Sequence, residues 1–267
     1  MIRENEYLYL IRKPTGIAST RWDQSCMLDR FSSLELFSPT FDDLWGVAVA
    51  ELFRSLVDEC QIVPSSQSFE EILAFLSHEF SKEEEYGLRN RLDTPTSWRL
   101  YFAKNRDVFT HYPQRQQTQQ IEKIYLCRVR WDPLRWAKKL LDLGESATYL
   151  SVGWTESCTI SFPIAHHRHD PHCMISSATA LWIKKLPKQS RGEIFRPQTQ
   201  ITRLTYDTVA NESLVRVMIH QGVRHQIRVH LSTLGTPILG DTLYSKVPWD
   251  IPLQLVSAGR KKKSSWL

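Results

Sequence analysis

Gly222-Val223-Arg224-His225-Gln226-Ile227-Arg228-Val229-His230-Leu231, running on to Leu234-Gly235-Thr236-Pro237-Ile238-Leu239-Gly240-Asp241, is the stretch whose reading decides this chain. Val223, Ile227, Leu231 and Leu234 recur at helical spacing and predict one apolar stripe. Arg224 and Arg228 stand four apart, so the spacing predicts two cations on a neighbouring face of the same helix, able to reach one site. Gly235 suits the left-handed residue that closes a helix, and Pro237 prevents its continuation. Such a helix can anchor a carboxylate or a phosphate. Taken alone it is equally a surface helix with solvated arginines.

A second segment, Asn90-Arg91-Leu92-Asp93-Thr94-Pro95-Thr96-Ser97, leads into Trp98-Arg99-Leu100-Tyr101-Phe102-Ala103-Lys104. Extended backbone over Arg91–Asp93 puts Arg91 and Asp93 on one side and Leu92 on the other. Thr94 to Ser97 read as a turn with hydroxyls available to local backbone. A carboxylate at a strand-to-turn boundary can act as nucleophile or general base, or simply cap the turn.

With both segments in view the chain resembles the RluA-type pseudouridine synthases, which isomerise uridine in ribosomal or transfer RNA. The matching blocks come in the family's order: Lys13-Pro14-Thr15-Gly16, Arg91-Leu92-Asp93 with Thr96-Ser97, Lys123-Ile124-Tyr125, then the weaker Phe162-Pro163-Ile164-Ala165-His166-His167 and Ala178-Thr179-Ala180. The arginine segment and Pro237 to Tyr244 close the set. The resemblance implies an α+β fold: a mixed, mainly antiparallel central sheet with flanking helices, without a preceding S4-type domain, since little chain stands before residue 7.

It also implies the site. Asp93 matches the catalytic carboxylate, Arg228 the cation that keeps it ionised, and Tyr125 the aromatic that stacks on uracil and takes part in proton transfer at C5. Arg91 matches the residue that fills the position vacated by the flipped base, and a plain ion pair is its alternative. Arg224, Lys13 and Arg99 are expected at phosphates rather than bases, with an ordinary surface role as the alternative for each. Breaking N1–C1′, rotating the uracil and rebonding through C5 involves no redox change and no external group, so neither cofactor nor metal is expected.

Composition is compatible with this reading. The 267 residues are enough for one sizeable core, and a net charge of +5 is mildly favourable to a nucleic-acid partner. Five cysteines, scattered and never spaced Cys-x-x-Cys, fit reduced thiols in a cytoplasm better than a disulfide framework or structural zinc site. No apolar run approaches the roughly 20 residues of a membrane span, and no secretory pattern opens the chain. The expected protein is a cytoplasmic monomer acting on structured RNA.

Organisation is read as one domain over 1–267, with a helical insertion at about 23–86 and a basic tail at 259–267. Strands are expected at 7–11, 99–103, 124–131, 148–152, 158–164, 179–184 and 213–219. A helix is expected over about 41–58. Another follows Ser68-x-x-Glu71, a capping box, with Ile72, Phe75, Leu76 and Phe80 as its apolar stripe.

Two positions depart from the family pattern. Asn90 replaces a histidine, and Trp98 replaces a glycine expected at the turn after Asp93. Trp98 is open to three readings: a wall of the substrate cleft, a disabling substitution, or a UGA codon that the source decodes as glycine. The chain's 10 Gly against 9 Trp prompt the last. A disabling Trp98 would leave a catalytically impaired RNA-binding relative. A hydrolase using Asp93 and a histidine is disfavoured, because no Ser/His/Asp or metal motif stands at recognisable spacing. The cluster His166, His167, His169, Asp170, His172 and Cys173 matches no standard metal spacing, and Pro171 interrupts it.

Overall fold

The computed structural model describes residues 2–4, 6–13, 19, 63–81, 83–117, 121–142, 150–152, 156–178, 180–245 and 253–262. The helix expected over 41–58 lies outside them. Where the sequence is read as one domain, the contacts divide into two compact units, Met1–Ile121 with Ser257–Leu267 and Glu122–Val256.

In the first unit, β1 (Ile2–Glu4), β2 (Leu8–Lys13), β3 (Val63–Pro64) and β4 (Ser97–Ala103) form antiparallel pairs in the order β3-β1-β2-β4. Helix α1 (Phe69–Glu79) starts where its capping box predicts. Ser68 Oγ accepts from Glu71 N–H, and the Glu71 carboxylate accepts from Ser68 N–H at 2.7 Å. Its Ile72 and Leu76 are buried, as the stripe requires. Helix α2 (Arg106–Gln117) follows β4. Leu8, Leu10, Tyr101, Tyr112 and Ile121 pack as one apolar cluster.

In the second unit, β5 (Ile121–Arg130, from Glu122 on), β6 (Leu150–Val152), β7 (Ser157–Ile160), β11 (Thr199–Asp207) and β12 (Glu212–Ile219) pair in the order β5-β12-β11-β7-β6. A smaller sheet has β8 (Ile164–His167) between β9 (Met174–Ser176) and β10 (Ser190–Phe195). The described registers in this unit are antiparallel throughout. Helices α3 (Pro133–Asp142), α4 (Ala180–Gln189) and α5 (Gln226–Leu234) complete it. The last strand, β13 (Leu255–Lys262), begins here and continues in the first unit from Ser257. The core gathers Cys127, Val129, Ile160, Phe162, Ile201, Val215, Val217, Ile227 and Leu231, the strand residues drawn from one face of the sheet and the last two from one face of α5. Among the described residues no helix is long and apolar enough to cross a membrane.

Two expectations are corrected. The strand expected at 179–184 is the start of α4. A short apolar run such as Leu181-Trp182-Ile183 cannot reveal its period, whereas the continuation to buried Leu186 beside exposed Lys185 has helical spacing. The arginine helix begins later than its apolar stripe suggests. His225 has φ 55°, in the left-handed region, which places Arg224 in the preceding turn and off the face of Arg228.

The other end of α5 closes as the sequence predicts. Gly235 has φ 95°, and its N–H bonds back to the Leu231 and Ser232 carbonyls. A Cβ there would stand 3.1 Å from the Trp136 ring. Gly235→Ala is therefore expected to lower stability by about 1–2 kcal/mol, from left-handed strain alone, measured by denaturant unfolding. An unchanged midpoint would show that the cap can relax.

Candidate active site

Asp93 is carried by a short segment that the first unit holds from below. Alternation places Arg91 exposed, Leu92 buried and Asp93 half-buried. The turn closes with Thr96 N–H donating to the Asp93 carbonyl at 2.9 Å. Ser19 grips the adjacent residue twice, with Oγ donating to the Leu92 carbonyl and accepting from Leu92 N–H. Asn90, the residue in the family's histidine position, accepts from Tyr101 N–H at 2.6 Å and ties the segment to β4.

The resemblance puts Lys13 at an RNA phosphate. It is instead fully buried under this turn, with Nζ donating to the carbonyls of Thr94 at 2.9 Å and Thr96 at 2.6 Å. Burial pushes its ammonium down to about 7, and the Asp93 charge opposes that shift. The sequence shows a lysine at the end of an apolar strand, but not that the strand turns it inward. Arg91 makes an exposed ion pair with Glu85 at 2.7 Å, the plainer of its two readings. Position 98 is not in the turn. Its backbone lies in β4 opposite Lys13, where extended tryptophan is ordinary, and the next residue, Arg99, stands opposite Arg12 of β2.

In the second unit Arg228 is buried and meets Asp241 through two parallel bonds, Nε to Oδ2 at 2.8 Å and Nη2 to Oδ1 at 2.8 Å. Asp241 Oδ1 also accepts from the backbone of Leu243 and Tyr244, each at 3.1 Å. The guanidinium carbon lies 5.1 Å from the Tyr244 ring centroid. The Tyr244 hydroxyl accepts from Met174 N–H and bonds His225 Nδ1 at 2.6 Å, and burial holds its pKa high. Arg224 is exposed and donates to the Pro171 carbonyl at 3.0 Å. Tyr125 is half-buried on β5 opposite Val217, against the core. Nearby in sequence, buried Lys123 is pushed down to about 8 by desolvation. Its Nζ would lie 2.9 Å from a Cβ at Gly222, so the glycine admits the lysine head.

The remaining polar residues of α5 secure the helix. Gln226 Nε2 donates to the Gln198 carbonyl and to Thr199 Oγ1, both at 2.9 Å. His230 Nε2 lies 2.9 Å from the Phe162 carbonyl, which can only accept, so Nε2 carries the proton. Nδ1 then accepts from the Thr199 hydroxyl at 2.8 Å, and a neutral imidazole satisfies every partner. Burial pushes His230 down to about 4.

The histidine-rich loop satisfies itself similarly. His167 Nδ1 accepts from the backbone of His169 and Asp170, and Asp170 accepts from His172 N–H and the Cys173 thiol. Among the described residues no three of these groups converge as a metal set.

Sequence reasoning missed Asp241, Thr199 and Tyr244 as partners. Asp241 and Tyr244 belong to the Pro237–Tyr244 block, but spacing alone carries no sign of whom they face.

Two predictions follow from these networks. Lys13→Met takes the lysine donor from the buried Thr96 carbonyl and the part-buried Thr94 carbonyl and is expected to cost about 1–3 kcal/mol in denaturant unfolding. For His230 the folded value lies below the ordinary 6.5, so the unfolded chain takes up the proton first as pH falls. Its contribution is complete above pH 6.5 and is lost towards pH 4, roughly 3 kcal/mol in all. The pH dependence of unfolding in this window should flatten in His230→Gln.

Residues 7–233 match the family model described as RNA pseudouridylate synthase. The human pseudouridylate synthase RPUSD2 is 30% identical over 178 residues, 67% of this chain and 26% of its own length. The dual-specificity RNA pseudouridine synthase RluA of Vibrio vulnificus is 26% identical over 157 residues, 59% of this chain and 51% of its own. The first relatives are thus spanned for only 26% to 44% of their length. Among solved structures, the human RNA pseudouridylate synthase domain-containing protein 1 shares the fold with a TM-score of 0.54 at 16% identity, over 96% of this chain and 75% of its own. Protein 4 of that human series gives 0.51 at 20% identity, over 95% and 80%. With the family model covering most of its length, this chain belongs to the RNA pseudouridylate synthase family.

Proposed function

We propose that this protein converts uridine to pseudouridine within structured ribosomal or transfer RNA, with Asp93 as the catalytic carboxylate. The observation that carries the reading is the support of the Asp93 turn. A half-buried carboxylate sits on a segment pinned by Lys13, Ser19 and Asn90, more restraint than a surface turn cap needs. A reacting group benefits from such restraint, since misplacement by about 1 Å can cost on the order of a hundredfold in rate.

In this reading Asp93 attacks or deprotonates at the ribose, Arg228 supplies the positive charge that favours its ionised form, and Tyr125 stacks on the uracil and takes part in proton transfer at C5. Asp241 would orient Arg228 for that task through its two bonds. Arg91, Arg224 and Arg99 would serve RNA, with Arg91 leaving Glu85 for the gap in the base stack. The isomerisation needs no cofactor. The free thiols Cys127, Cys158 and Cys173 suit the reducing cytoplasm, where the protein would act as a monomer.

The test is pseudouridine mapping of ribosomal and transfer RNA from cells with and without the gene, repeated with Asp93→Asn. The amide keeps the shape but cannot act as nucleophile or base. The expected outcome is loss of product with fold and most RNA affinity retained. Turnover in the purified variant would remove Asp93 from the mechanism. RNA binding by the wild type without product would identify an impaired relative.

A further inference from the structure

The second unit holds a cleft of about 410 Å³ lined by Trp131, Asp132, Arg135, Trp136, Lys139 and Tyr206. Its walls are tied down. Trp131 has φ 62°, a conformation unusual for a bulky residue, with its N–H donating to the Asn211 carbonyl at 2.6 Å and its carbonyl accepting from Ser213 Oγ at 2.8 Å. The Tyr206 hydroxyl donates to Asn211 Oδ1 at 2.6 Å, and Asp207 accepts from Val209 and Ala210 N–H, which fixes the β11–β12 hairpin. Trp136 packs against the core and against Gly235.

Ring and charge lie together there. The two indole rings are 5.9 Å apart and tilted by 46°. The Arg130 guanidinium lies 4.9 Å from the Trp131 ring, and the Lys139 ammonium 4.8 Å from the Trp136 ring. Arg135 and Lys139 are exposed. The carboxylate of the cleft, Asp132, is engaged by Leu134 N–H at 2.9 Å and by Arg203, so its charge is compensated.

We propose that this cleft binds an unpaired nucleotide of the RNA substrate, distinct from the uridine that reacts. Its base stacks on the indoles and phenol, and its phosphate meets Arg135 and Lys139. Flat π surfaces serve any base, and exposed cations beside them serve the backbone, which is the pairing single-stranded RNA requires. The volume falls in the range of small-ligand sites. A proline-rich peptide also uses aromatic slots, but it has no call on the two cations. The proposal rests on RNA being the substrate.

The experiment uses oligoadenylate as the probe, with blunt duplex RNA as control and a proline-rich peptide as competitor. Two variants of the full chain are compared with wild type: Trp131→Gly, and the double variant Arg135→Gln with Lys139→Gln. Glycine accepts φ 62° without strain, so Trp131→Gly should keep or raise the Tm while weakening oligoadenylate binding roughly tenfold. A purely structural tryptophan would instead lower the Tm and leave affinity alone. The double variant should weaken the same binding and reduce its salt dependence. Unchanged oligoadenylate affinity in both variants overturns the proposal, as does displacement of the oligoadenylate by the peptide. Glycine at position 131 in peptides of the protein from its source cells, determined by mass spectrometry, also overturns it. Failure here is separable from failure of the reaction assignment. Pseudouridine formation with unaltered affinities sinks the cleft alone, and oligoadenylate binding that depends on Trp131 without product sinks the reaction alone.

Discussion

The second unit is organised around a charge that cannot be left unpaired. Arg228 is buried on α5, and its fork is met by Asp241, which also caps the turn at Leu243 and Tyr244. Breaking such a pair from either side strands a buried charge, at a cost of about 3–5 kcal/mol. The helix, the turn after Ile238 and the Tyr244 ring are therefore settled as one piece. Tyr244 extends the piece to Met174 and His225, so the smaller sheet is tied to the start of α5.

The same economy governs the other buried polar groups. His230 is neutral because the Phe162 carbonyl and Thr199 hydroxyl dictate one tautomer, and Gln226 uses the remaining capacity of Thr199. Lys13 is buried beneath two carbonyls of the Asp93 turn, where desolvation weakens its hold on a proton. In each case a group that could serve chemistry serves geometry, by fixing the backbone of the Asp93 turn or of α5. Burial is what separates the two roles, and spacing does not report it.

Much of the fold was legible. The capping box at Ser68, the glycine stop at Gly235 and the alternating or apolar runs at β2, β4, β5 and β12 are local signals, each set by a few neighbouring residues. The Asp93 turn was legible for the same reason. The start of α4 was misread because an apolar run has no period until a polar residue interrupts it. Arg224 was misplaced because a single left-handed residue, His225, ends the helical phase that its spacing implied.

By itself, the sequence determined which segments form elements, where most of them stop, and which ordered set of blocks marks the family. Those properties follow from propensity, capping and periodicity, which act over a few residues. Tertiary structure decided which way each charged side chain faces. It turned Lys13 inward, gave Arg228 to Asp241 thirteen residues on, set Arg91 against Glu85, and brought Trp131 and Trp136 to one cleft. A cation takes the partner that packing leaves within reach, and that partner is chosen by the path of the whole chain.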